Sequence, residues 1–378
     1  MNNTEIKISF WGDFAGQGRF NKWFNVGRSV GMFGEMEEYI QKSDISVVNL
    51  EVPLIDGGEK IPKSGPNIQA PIHIASAMKA AGVTLVTLAN NHIMDYGRPG
   101  LLSTIDACRN VGLDYTGAGC SENEASVIKY INYQSKRIAF IAVAENEFGT
   151  AHDNKAGGAP LDPVKNYYKI VEARKNADYV FVVVHGGHET FEYPSIRMRN
   201  TYRFFIDVGA DAVIGHHTHC FSGHEIYHDK PIVYSLGNFV FDNGANSHSS
   251  WNEGVGAILT LNGNSVGLSL IPFTQGLPDN PQPRNFSKEH KTQFLDHAQN
   301  KSKIIGCDEL LQAEFEKFVR QSEKKYALYL EPFSNKIMLG LINRGWLPSF
   351  VKGKKKLLLL NIIRCEAHRD MLLQILQK

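Results

Sequence analysis

The chain has 378 residues, 43% of them hydrophobic and 21% charged, with a formal net charge of +1. That composition excludes a disordered chain and matches a globular one holding about two domains' worth of residues. No apolar run approaches the roughly 20 residues that cross a bilayer. The cysteines (Cys108, Cys120, Cys220, Cys307 and Cys365) are odd in number, scattered and free of any C-x-x-C, so they read as reduced thiols of an intracellular protein rather than a disulfide framework.

The first residues, MNNTEIKISFWGD, run straight into a strand pattern without an apolar h-region, so no signal peptide is expected. Residues 5–11, 44–50, 83–88, 137–143, 178–184 and 211–214 are short apolar runs, as strands buried on both faces tend to be. Residues 31–42, 71–81, 99–111, 163–177 and 194–208 have helical spacing between them. This alternation predicts an α/β layered fold. After residue 220 the texture changes: 231–241, 255–261 and 265–271 read as successive strands, with Asn262-Gly263-Asn264 as a tight turn. The Pro-rich stretch 278–284 reads as a linker, dividing the chain into 1–277 and a helical region 278–378. In that region Leu311, Phe315, Phe318, Val319 and Tyr326 form one apolar helix face.

Polar residues gather directly after the apolar runs. Asp13 follows SFWG, Glu51 closes ISVVNL, Asn91 and His92 follow TLVTLAN, His185 follows VFVVV, and His216, His217 and His219 follow DAVIG. In open α/β sheets the carboxyl ends of strands face the ligand crevice. Five strands therefore deliver Asp, Glu, Asn and His to one edge. Each element alone has a plain structural reading: a helix cap for Asp13, a turn for Asn91-His92, a core histidine for His185. Three histidines within four residues, joined to four other strand ends, make a metal site the better reading. The oxygen and nitrogen donors suit Mn or Zn, with Fe also compatible.

The strings ANNHIMDYGRPGLLST (89–104), HGGHE (185–189), GHHTH (215–219) and YSLGNFVFD (234–242), with WGD (11–13) and NLEVP (49–53), resemble the CapA family of poly-γ-glutamate capsule-synthesis proteins. That family is related to the calcineurin-like metallophosphoesterases, and the resemblance spans about residues 5–275. It implies a four-layer α/β/β/α metallophosphoesterase-like sandwich with two metal ions between the sheets. Asp13 would bind the first ion and Glu51 would bridge. Asn91 and His185 would bind the second, with His217 and His219 divided between the two. His92 would be the acid beside the substrate. Two departures stand out: Asp13-Phe14-Ala15 lacks the histidine of the D-x-H motif, and Glu51 replaces a bridging Asp.

Two close cations lower the pKa of a shared water and clamp an anionic transition state. His92 would protonate the leaving group, and Asp95 would either hold its ring or cap the turn before Pro99. His188, Glu189 and His216 are candidates for substrate or ligand-supporting contacts, against a solvated loop. Asn238 would orient a ligand histidine or belong to a bulge. Arg98, like Arg19, would bind an anionic group or lie on the surface. The expected function is a metal-dependent hydrolase of capsule or exopolysaccharide biosynthesis, cleaving an ester or amide bond in an anionic polymer or its precursor. The rival is a non-catalytic, metal-bearing component of a polymer synthesis or export complex. No basic stripe with interleaved aromatics accompanies the motifs, which disfavours nucleic acid as partner.

From Pro332 to Lys378 there are nine Lys/Arg and two Asp/Glu, a charge of +7 that leaves −6 for the rest. Trp346, Leu347, Phe350 and Val351 precede Lys352 and Lys354 to Lys356, and Leu357 to Leu360 follow. This is the composition of an interfacial segment, placing a cytoplasmic protein at the inner face of the membrane or against capsule machinery. The competing reading is a helix packed on the catalytic domain through Leu360, Ile363, Ala367, Met371 and Gln374.

Overall fold

Two strand-helix alternations build the molecule, each with its own sheet. The computed structural model describes residues 5–16, 18–20, 31–242, 250–330, 337, 340–341, 344–348 and 351–376, with the main chain alone at 323–325 and 327–330. The strands are β1 (Ile6–Phe14), β2 (Ile45–Leu50), β3 (Leu85–Thr87), β4 (Asp114–Thr116), β5 (Ala118–Gly119), β6 (Lys129–Tyr133), β7 (Lys136–Ala144) and β8 (Gly157–Gly158). They continue with β9 (Tyr179–His185), β10 (Ala212–His216), β11 (His224–Tyr227), β12 (Lys230–Val233), β13 (Asn238–Val240), β14 (Glu253–Asn262), β15 (Ser265–Thr274) and β16 (Arg284–Asn285). One sheet has the order β16-β15-β14-β1-β2-β3-β4, with β13 also paired to β1; the other runs β11-β12-β10-β9-β7-β6. Strands β1 to β3 are mutually parallel, as are β7, β9 and β10, so the carboxyl ends align within each sheet.

The side-chain period of two sorts each strand between two cores. In β1, Ile6, Ile8 and Phe10 face the opposite sheet, while Trp11 faces the helices Ile74–Ala81 and Gly97–Asn110. In β9, Tyr179, Phe181 and Val183 face inward, while Val180, Val182 and Val184 meet the helices Pro163–Asn176 and Ile196–Val208. Phe10 reaches across to Phe181 at 5.9 Å and Phe140 at 6.2 Å between ring centroids. The result is the expected four-layer α/β/β/α sandwich. Truncating Phe10 to Ala would cost about 3–5 kcal/mol, because its cavity would open between two rigid sheets.

Three expectations change. Residues 231–241 are not one strand. β12 belongs to one sheet and β13 to the other, and the chain crosses between them at 234–237, where Gly237 takes φ 72°. The Pro-rich stretch is fastened rather than loose: the Pro283 carbonyl accepts from Glu35 N at 3.1 Å, and Arg284 pairs with Thr274. Prolines donate nothing, yet their carbonyls remain good acceptors.

The third concerns the last helices. Gly353–Arg364 and Glu366–Leu376 are separated at Cys365, whose extended backbone (φ −77°, ψ 123°) resets the phase. Their buried residues are therefore Asn361, Ile362, Cys365, Ala367 and Met371, while Leu360 and Ile363 are exposed. Earlier, the helix Asp308–Leu330 buries Leu311, Phe315, Val319 and Tyr326, with Phe318 partly buried, as its spacing predicts. Phe350 lies outside the described residues.

Candidate metal centre

The carboxyl ends of β1, β2, β9 and β10 converge between the sheets. Asp13 pairs in register with Asn49 of β2 and Asn238 of β13, and His216 with His185. Such close approach depends on glycine. A Cβ on Gly12 would lie 1.9 Å from the Gly237 carbonyl oxygen, and the next amide, Asp13 N–H, donates to that same oxygen at 3.0 Å. The glycines of WGD and SLGNF thus serve one contact. Beyond β10 the chain is forced into left-handed conformations at His217 (φ 90°) and His219 (φ 59°). Non-glycine residues adopt these at a cost of order 1–3 kcal/mol, which the surrounding packing must offset.

Two buried ligand sets result. Glu51, His185 and His217 each offer an atom within 4.8 Å of the others, and so do Asp13, Glu51 and His219. Glu51 is common to both, and its amide is anchored to the Phe14 carbonyl at 2.9 Å. Among the described residues neither of its carboxylate oxygens finds a donor in good geometry, although His185 Nε2 lies 3.5 Å and His219 Nε2 3.9 Å from Oε1 and the Asp13 carboxyl is in contact with it. A buried carboxylate without hydrogen bonds is among the costlier groups a fold can hold. Divalent cations remove that cost, and a donor set of carboxylates and imidazoles fits Mn, Zn or Fe. Asn91 Oδ1 lies 3.1 Å from His185 Nε2, beside the first set.

The electrostatics follow from burial and mutual contact. Burial, reinforced by Asp13, drives the Glu51 carboxyl well above its ordinary value. Burial would raise Asp13 too, but hydrogen bonds from His216 and His219 hold its carboxyl well below. His185 is pushed well below the ordinary histidine value by burial and by neighbouring His217. Around these groups stands a supporting layer. His216 Nδ1 donates to Asp13 Oδ1 at 3.1 Å, Asn49 Nδ2 donates to the same oxygen at 2.8 Å, and His219 Nδ1 donates to Asn238 Oδ1 at 3.0 Å. That last bond turns His219 Nε2 toward Glu51. The Asn238 amide also donates to the His219 and Trp251 carbonyls, so of its two candidate roles the structure shows the orienting contact.

His92 lies beside the clusters rather than within them. Its Nδ1 donates to Asp95 Oδ2 at 2.6 Å, and Asp95 also accepts from the Ile68 amide at 2.7 Å and pairs with Lys63. Burial holds the His92 imidazole below its ordinary value, against the pull of the Asp95 hydrogen bond. Asn90 Oδ1 accepts from the His92 and Ile93 amides, fixing the turn that presents the ring.

A cavity of about 410 Å³ opens onto this edge, lined by Asn91, His92, His217, His188, Glu189 and Lys63 among others. Arg98 does not join it. It is exposed on the first turn of Gly97–Asn110, where the helix start at Gly97 and Pro99 turns toward solvent. Arg19 is likewise committed elsewhere, gripping Asp242 at 2.9 Å and the carbonyls of Gly276 and Leu277. Lys63, Glu147 and Asn49 are site residues that sequence reasoning missed. Lys63 and Glu147 come from irregular segments without periodicity, and Glu147 Oε1 lies 3.8 Å from His217 Nε2. Asn49 was detectable, standing two residues before Glu51 at a strand end. Cys220 is buried and its thiol points at Thr218 and Ser222.

This chain is similar to the capsule biosynthesis protein CapA of Bacillus anthracis, 35% identical over 222 residues that cover 56% of this chain and 54% of the relative. It is also similar to the PGA biosynthesis protein CapA of Bacillus subtilis (strain 168), 34% identical over 247 residues, covering 63% of this chain and 64% of the relative. The chain thus spans between about half and two thirds of the length of these relatives. Among solved structures, a phosphatase from Mycoplasma pneumoniae superposes with a TM-score of 0.45 at 15% identity, over 73% of this chain and 96% of that one. The model of the bacterial capsule synthesis protein PGA_cap family matches residues 7–243, well over half the sequence, and the chain belongs to that family.

Proposed function

We propose that this protein is a metal-dependent hydrolase of capsule biosynthesis, cleaving an ester or amide bond in a poly-γ-glutamate-like anionic polymer or its precursor. The observation that carries this reading is Glu51, a buried carboxylate shared by two ligand sets and given no donor in good geometry by the described residues. Asp13 and His219 would hold one ion and His185, His217 and Asn91 the other, with Glu51 between them. Two bound cations would supply Lewis acidity and an acidified water. Asp95 orients the His92 ring and opposes the burial that holds its imidazole below the ordinary value, so His92 would be the group that gives a proton to a leaving group in the cavity. The His219 ring is held by Asn238 Oδ1 before any substrate arrives.

The basic C-terminal segment belongs to the same proposal as a contact with an anionic membrane surface or with capsule machinery. Exposed Trp346, Leu360 and Ile363 beside exposed Lys354 and Lys356 support it. Among the described residues no helix is long and apolar enough to cross a membrane.

A second reading, a non-catalytic metal-bearing component of a synthesis complex, draws support from one feature. Buried Ala15 stands where the phosphoesterase D-x-H motif carries a histidine. Turnover of bis(p-nitrophenyl) phosphate and of a γ-glutamyl anilide, with Mn added, separates the two. Hydrolysis of either substrate that disappears in His217→Ala supports the enzyme. A metal-loaded protein inert toward both favours the second reading.

A further inference from the structure

The cavity over the ligand sets is closed on its far side by the C-terminal helices, which lie outside the family match at 7–243. Phe318 and Tyr326 reach it from Asp308–Leu330, Asn361 and Ile362 from Gly353–Arg364, and His368 from Glu366–Leu376. Tyr326 OH and His368 Nδ1 are joined at 2.6 Å. Among the described residues, two polar side chains in this lining are not fully satisfied. Asn361 is 6% exposed and its Oδ1 has no hydrogen-bond partner. His188 is 5% exposed, with the Ala367 main chain to take one ring nitrogen and no partner for the other among the described residues. The His188 ring sits 5.1 Å from Phe315 and 6.0 Å from Phe318 between centroids, with the Ala367 main chain nearby. Buried polar atoms without partners are destabilising, and native folds keep few of them. A fold retains such a pair where a ligand completes it.

We propose that Asn361 and His188 form a recognition subsite in the C-terminal wall of the cavity, taking the neutral, hydrogen-bonding part of the substrate that flanks the scissile group. This rests on the reading of the cavity as a substrate site. The chemistry follows from the donors and acceptors. Asn361 Oδ1 only accepts, so it requires an N–H or O–H and rejects a carboxylate or phosphate. Burial pushes His188 down to about 3, so its ring is neutral and offers one donor and one acceptor. A secondary amide N–H suits Asn361 Oδ1, and a further N–H or O–H of the same unit suits the open, accepting nitrogen of the neutral imidazole, while Phe318 covers the apolar side. Anionic groups are thereby left to the metal edge and the amide to the C-terminal wall.

Calorimetric titration of the metal-free 378-residue chain with a γ-glutamyl tetrapeptide and with an N-acetylglucosamine tetramer tests this, since both carry secondary amides. At least one should bind, and Asn361→Leu and His188→Phe should each weaken it by about tenfold, the value of one hydrogen bond. Asn361→Leu should keep its Tm or raise it by about 2 °C, because an unsatisfied group has been removed. The assignment is overturned if neither probe binds the wild type, if both variants bind as the wild type does, or if Asn361→Leu lowers Tm and so marks a structural group. Because the titration uses no metal, its failure leaves the metal centre standing, and a wild type that takes up no metal leaves this subsite standing.

Discussion

His92 and Asp95, three residues apart, are joined by a 2.6 Å hydrogen bond at the cavity wall, next to the ligand sets but contributing no atom to them. Removing the ring should therefore spare the metal. His92→Ala is expected to retain its ions and lose about 10²–10⁴-fold in turnover, the usual contribution of a positioned acid. Metal analysis and a reporter assay on one preparation check it; metal loss equal to that of His217→Ala would make His92 a ligand instead.

Asn238 supports His219 from behind and is fully buried. Asn238→Ala removes that bond and leaves the His219 and Trp251 carbonyls short of a donor. Metal affinity should fall about 10–100-fold, with stability lower by about 1–3 kcal/mol. Competition with a calibrated chelator and urea unfolding measure the two. Unchanged affinity in a folded variant would contradict the supporting role.

Stabilisation by metal should depend on pH with a definite sign. The folded-state carboxyl of Glu51 is raised, so in the metal-free protein it opposes folding once the pH climbs past the ordinary value of 4.5 and through its shifted range. His185 is depressed, so the unfolded chain takes its proton first and stability is lost as the pH falls below 6.5. A bound cation relieves the first effect and needs both groups deprotonated. The rise in Tm on adding Mn should grow from acid toward neutral pH. A rise that shrinks over that range would contradict the assignment of Glu51.

Cys220 directly follows a candidate ligand histidine, but burial raises its thiol to about 11, so it stays protonated at neutral pH. Cys220→Ser is expected to keep activity within a few-fold, and iodoacetamide to leave the native protein active. Complete loss in the folded serine variant would point to a thiolate nucleophile.

The basic tail should bring the chain down with anionic vesicles at low salt. Each lysine near such a surface is worth about 1 kcal/mol, so converting Lys352, Lys354, Lys355 and Lys356 to glutamine should release the protein, as should high salt. Wild type left in the supernatant at low salt would refute direct membrane contact.

The sandwich and most of the ligand edge were legible because strands such as β9, buried on both faces, read as unbroken apolar runs that end in a polar residue. Asp13, Glu51, His185, His217 and His219 all carried that signal. The short strands β4, β6 and β11 did not, since their residues are largely half-exposed and mixed in polarity. Lys63 was hidden for another reason: it reaches Asp95 from an irregular segment whose path is set by main-chain contacts such as Ile61 N–H to the Asp95 carbonyl at 3.0 Å. The C-terminal wall was invisible because a helix face packed around a cavity looks, by spacing, like one packed around a core.

Metal stoichiometry of Glu51→Gln against the wild type tests the shared carboxylate most directly. Mass spectrometric metal analysis after reconstitution with Mn or Zn should find about two ions per wild-type chain, as a two-metal site requires. Loss of both is expected in a folded Glu51→Gln variant, because each ligand set contains Glu51. A wild type that binds no ion, or a variant that keeps both, would show that Glu51 does not join the two sets through metal.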